Sequence, residues 1–105
     1  MFFELRQYRM RAGQYETWVR YMDEVIIPFQ QSKGMCIAGS FVDEENGRYV
    51  WIRRFADEAE RERQYAAVYD NDFWRDEVAP RVGELIDRDG TEVSILRATP
   101  RSYLR

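Results

Sequence analysis

The chain has 105 residues, 45% hydrophobic and 15% aromatic, with a formal net charge of −3; this excludes a disordered chain and fits one domain burying roughly two thirds of its unfolded surface. No apolar run approaches the ~18 residues of a membrane span, and the basic residues are scattered, which argues against a nucleic-acid partner. Histidine is absent, so the commonest general base, zinc ligand and haem axial ligand are missing, and neither a metal nor a cofactor is expected.

Phe2 to Met10 predicts the first strand. Its two-residue period separates Phe3 and Leu5 on one side from Glu4, Arg6 and Tyr8 on the other. The N-terminus enters this strand without a basic segment followed by an apolar one, so a cytoplasmic location is expected. Ala12 and Gly13 then turn the chain into a helix over Gln14 to Phe29, where Tyr15, Trp18, Val19, Met22, Val25, Ile26 and Phe29 recur at three-and-four spacing. Pro28 removes a ladder hydrogen bond and is expected to bend this helix near Glu24, and Gly34 suits its C-terminal end.

Met35 to Asp43 reads as the second strand, with Gly39 where a bulge or close backbone approach fits. The lone Cys36 lies in its apolar start and is read as a packed small hydrophobe. Asn46-Gly47 marks a hairpin into a third strand, Arg48 to Phe55, where Val50 and Ile52 oppose Tyr49, Trp51 and Arg53. Asp57 with Glu60 forms an acidic capping box for a helix through Tyr69, whose Glu60 to Arg63 run reads as a solvated face. Asp72 is expected to cap a further helical segment carrying Trp74, Val78, Val82 and Leu85, split or restarted at Pro80 and ended by Arg88-Asp89-Gly90. Thr91 to Ala98 is the last strand, Pro100 stops it, and 101–105 form a tail to a domain spanning 1–100.

The order β-α-β-β-α-β predicts the α+β, ferredoxin-like arrangement, a four-stranded antiparallel sheet with its helices on one face. Strands one and three are then central, setting Glu4, Arg6 and Tyr8 beside Tyr49, Trp51 and Arg53. Phe3, Leu5, Val50 and Ile52 are assigned to the helix side. The charged and aromatic face is thereby left bare, a patch that a homodimer packed sheet to sheet would cover, with Glu4 of one subunit near Arg6 or Arg53 of the other. This face is read either as a paired polar interior that fixes subunit register or as a site where Arg6 and Arg53, beside Tyr8 and Trp51, hold an acidic planar molecule. A second candidate pocket lies between sheet and helices at Trp18, Met22 and Trp74, to be weighed against plain core packing.

Glu4-Leu5-Arg6 with Tyr8, Gly13 before the aromatic helix, Pro28, Gly34, Gly39, Trp51, the Asp57 to Arg61 helix start and Asp72 with Trp74 form an ordered set over almost the whole chain. In these the chain resembles the NIPSNAP family of the dimeric α/β-barrel superfamily. It departs from the pattern at Ala12, where proline is frequent, and at Phe41, where tryptophan is common. The resemblance implies a homodimer whose two sheets form a barrel with the helices outside, and small stand-alone relatives that are bacterial and without a settled activity. It carries over no catalytic residues. The wider superfamily includes cofactor-free monooxygenases, haem-degrading oxygenases and isomerases, most of them relying on a histidine or an asparagine-tryptophan pair between sheet and helices.

Three functions are therefore open. The leading one is a small dimeric domain that binds a small ligand or a partner. The second is a metal-free enzyme on a small aromatic or acidic substrate, with Tyr8 as acid or base and Arg6 or Arg53 stabilising an oxyanion. The third is a protein-interaction module working through the outer helices.

Overall fold

The computed structural model describes every residue from Met1 to Arg105. Strand β1 (Phe2–Met10) leads into a helical run of α1 (Tyr15–Tyr21), a π-helical turn (Met22–Ile26) and α2 (Ile27–Ser32). The hairpin β2 (Cys36–Asp43) and β3 (Arg48–Phe55) follows, then α3 (Glu58–Tyr69), a second π-helical turn (Trp74–Val78) with α4 (Ala79–Leu85), and β4 (Ile86–Leu96). The strands form one antiparallel sheet in the order β2-β3-β1-β4. This is the ferredoxin-like α+β fold that the element order predicts. No helix is long and apolar enough to cross a membrane.

Local chemistry accounts for most of these boundaries. At the hairpin, Gly47 adopts φ 66°, and the Asp43 carboxylate accepts a 2.8 Å bond from the Asn46 side chain. Asp57 accepts from the Glu60 amide at 2.8 Å, while Glu60 reaches back to the Ala56 amide at 3.2 Å. Both π turns end two residues before a proline, Pro28 and Pro80. Proline offers no N–H to the carbonyl four residues back and its ring crowds that carbonyl. The helix answers by widening, so that the Ile27 amide bonds to the Met22 carbonyl and the Ala79 amide to the Trp74 carbonyl, five residues back.

Some boundaries differ from expectation. Asn71, not Asp72, caps the third helical run, its side-chain oxygen accepting from the Phe73 and Trp74 amides at 2.9 and 3.4 Å. Arg88-Asp89-Gly90 is not a turn ending a helix. β4 already begins at Ile86, and the segment is a bulge inside it, between the pairs Arg9↔Asp87 and Gln7↔Glu92. Cys36 is exposed instead of packed, because it lies on the edge strand β2 and shares the face of its cross-strand partner Arg54, away from the helices. The bulge expected near Gly39 is present, between Ile37 and Gly39.

The largest correction concerns the two sides of the sheet. Glu4 pairs with Arg53, Arg6 with Trp51 and Tyr8 with Tyr49, as the central-strand reading requires. These residues point into the helix layer, however, and the core there joins Tyr8, Tyr49 and Trp51 to Trp18, Met22, Ile26, Val82 and Leu85. Phe3, Leu5, Val50 and Ile52 lie on the opposite side, with Phe41 and Leu96, both more than 40% exposed. Expecting the aliphatic side to meet the helices fails because rings bury more area than aliphatic chains. The charges among them are also neutralised locally. Glu4 does not meet a second subunit's arginine; it is wholly buried against Arg53 of its own chain.

Candidate functional site

Glu4 anchors a polar cluster under the helices. Its Oε1 accepts from Arg53 at 2.5 Å and from Arg6 at 3.3 Å, and its Oε2 accepts from the Tyr65 hydroxyl at 2.5 Å and pairs with Arg61 at 3.0 Å. Arg53 is wholly buried, donates also to Gln30 at 2.8 Å and to the Tyr69 hydroxyl at 2.6 Å, and lies 4.7 Å from the Trp51 ring centroid. Burial alone would push the Glu4 carboxyl up, but Arg53, the Tyr65 hydroxyl and Arg6 outweigh it and hold it below the ordinary carboxylate value. Glu4 is therefore ionised at neutral pH, with three arginines around one carboxylate.

Beside this cluster a cavity of about 410 Å³ opens between sheet and helices, within the size range of small-molecule sites. Met22 and Ile26 from the first π turn, Trp74 from the second and Val82 from α4 supply its helical wall. Tyr8, Trp51 and Arg6 form its sheet floor, and Tyr65 and Tyr69 of α3 and Arg88 and Thr91 of β4 complete it. No carboxylate lines it. All three tryptophans of the chain, Trp18, Trp51 and Trp74, do.

The hydrogen bonding of this lining is lopsided toward donors. The Tyr8 oxygen accepts from Arg6 Nε at 2.8 Å and from Trp51 Nε1 at 2.9 Å, and its own proton finds no acceptor in the protein. The Tyr69 hydroxyl likewise accepts from Arg53 and donates to nothing. The buried indole N–H of Trp18 has no partner. Burial raises the Tyr8 hydroxyl above the ordinary phenol value despite the opposing Arg6 charge, so it is a proton donor at neutral pH and not a base. Tyr49, behind it, is pushed up to about 12 by burial, the Ser40 hydroxyl acting against that shift.

The family model described as NIPSNAP matches residues 3–102. The chain belongs to the NIPSNAP family. Among solved structures, protein Atu4242 from Agrobacterium tumefaciens is similar over 100% of both chains, at 24% identity and a TM-score of 0.88. An uncharacterized NIPSNAP domain protein from Burkholderia xenovorans is similar over 97% of this chain and 98% of its own, at 19% identity and a TM-score of 0.83. A protein described as an antibiotic biosynthesis monooxygenase shares the fold more distantly, over 95% of this chain and 100% of its own, at 19% identity and a TM-score of 0.69. Among curated proteins none matches the chain.

In this NIPSNAP domain the two candidate sites read from the sequence merge into one. Arg6, Tyr8 and Trp51 leave the bare sheet face and join Trp18, Met22 and Trp74 around the same cavity. Arg53 does not line it; it stands behind the wall and holds Tyr69, Tyr65 and Glu4 in place. Tyr65 and Tyr69 were hidden in a helix whose charged run, Glu60 to Arg63, masks the inward tyrosines, and their four-residue spacing is the signal that finds them. Arg88 and Thr91 were hidden because a Gly-ended charged triplet looks like a turn.

Proposed function

We propose that this NIPSNAP domain binds a small, largely aromatic molecule carrying an acceptor group in the cavity between sheet and helices. The observation that carries this reading is the Tyr8 hydroxyl: both of its bonds are received from Arg6 and Trp51, and its remaining proton is unspent beside a cavity lined by rings. A buried donor without a partner costs about 1–3 kcal/mol, and a carbonyl or oxyanion placed on it recovers that cost. The protein acts as a homodimer, whose second subunit covers the apolar sheet face around Phe41, Ile52 and Leu96.

Intrinsic fluorescence tests the reading directly, since every tryptophan borders the cavity. In a titration with small aromatic ketones, phenols and carboxylates, wild type is expected to change emission with at least one class, and a folded Tyr8→Phe variant to bind it about tenfold more weakly, the worth of one lost hydrogen bond. Equal binding by both proteins would make the cavity a packing feature.

A second reading, a cofactor-independent enzyme, is favoured by the same hydroxyl. A protonated tyrosine held by a guanidinium and an indole N–H is set to deliver a proton or hydrogen bond to a developing oxyanion. It requires a compound that wild type consumes and the Tyr8→Phe variant only binds.

A further inference from the structure

The bulge in β4 lies opposite Tyr8. One residue of β1, Tyr8, separates Gln7 from Arg9, while their partners Glu92 and Asp87 are separated by Arg88, Asp89, Gly90 and Thr91. Such an insertion re-aims the side chains it carries, and here Arg88 and Thr91 both reach the cavity lining. Arg88 is placed with some care. Its guanidinium donates to the Ala79 carbonyl at the start of α4, and it crosses that helix at Gly83, where a β-carbon would stand 3.5 Å from its Nε. It makes no ion pair. Every other arginine at the cavity or behind it, Arg6, Arg53 and Arg61, is already committed to Glu4.

The geometry points to Arg88 as the residue that selects anionic ligands, holding a carboxylate at the β4 side of the cavity while the aromatic body lies among the tryptophans and an acceptor meets Tyr8. This rests on the cavity being the binding site, and it replaces Arg6 and Arg53, both paired with Glu4, with Arg88 as the arginine that recognises an acid. Arg88 is exposed to solvent; without a carboxylate partner, in a lining that holds no acid, its guanidinium is free to take an anion from outside. A neutral ligand of the same shape leaves it unanswered.

Isothermal titration of cinnamate and of its neutral isostere cinnamamide separates the two questions. Wild type is expected to prefer the acid by about tenfold or more, the worth of one charge-assisted hydrogen bond. Arg88→Gln should erase that preference by weakening cinnamate, and the control Arg81→Gln, whose guanidinium pairs with Glu84 outside the cavity lining, should keep it. If wild type binds both compounds equally and Tyr8→Phe weakens both, the cavity stands and the role of Arg88 falls. A preference that survives in Arg88→Gln overturns it equally, leaving Arg6 as the selector. If neither compound binds or perturbs the tryptophans, both readings fall.

Discussion

Removing the charge from Glu4 would strand the Arg53 guanidinium in a site with no solvent, since both side chains are wholly buried. Breaking a buried pair by deleting one partner costs about 3–5 kcal/mol, so Glu4→Gln is expected to lower unfolding free energy in urea by that amount. The pH dependence has a definite direction. The folded carboxyl lies below its ordinary value, so its contribution is complete above the unfolded pKa of about 4.3 and is lost as pH falls through the lower folded value. Urea midpoints measured across acidic pH should therefore fall more steeply for wild type than for Glu4→Gln. The ligand-facing residues divide: changing Arg88, which is exposed and makes no ion pair, alters binding more than stability, whereas Tyr8→Phe also deprives the Arg6 and Trp51 N–H groups of their acceptor and costs stability as well.

At the scale of elements, the β4 bulge joins the fold to the site. A β-carbon on Gly90 would stand 2.8 Å from the Arg9 β-carbon, an atom fixed to the backbone that cannot swing aside. Gly90→Ala is thus expected to cost about 1–3 kcal/mol, as overpacking does, and to reduce the acid preference assigned to Arg88 by shifting the bulge. Urea denaturation with the same paired titration checks both. The π turns work similarly, since the helical widening next to Pro28 and Pro80 sets Met22, Ile26 and Trp74 on the cavity. Pro28 was visible in the sequence as a bend and Pro80 as a split or restart; their result, a widened turn lining a pocket, depends on which carbonyls are left to be answered across the whole helix.

For the molecule as a whole, the sheet's uncovered side carries an apolar patch, with Phe41 57% and Leu96 41% exposed and Leu5, Val50 and Ile52 half-buried between them. Water-exposed aliphatic surface of this kind favours association. Wild type should sediment as a dimer and Phe41→Glu as a monomer in analytical ultracentrifugation. Phe41 is 57% exposed and its ring leans on Gly39 of the same edge strand, away from the helices, so the variant should retain its helical circular dichroism; a variant that stays dimeric would place the interface elsewhere.

Strand and helix order, the hairpin at Asn46-Gly47, the Asp57 cap and the central pairing of Glu4, Arg6 and Tyr8 with Arg53, Trp51 and Tyr49 were legible in the chain. Periodicity, caps and turns are local effects, written within a few residues. Which side of the sheet meets the helices was not legible. That choice turns on residues far apart in sequence: Glu4 and Arg53 neutralise one another across 49 positions, with Tyr65 closing the cluster from a helix that looks merely charged. Only when those groups meet does a face of acids, arginines and rings become cheaper to bury than a face of leucine, valine and isoleucine, and with that choice the cavity acquires its floor.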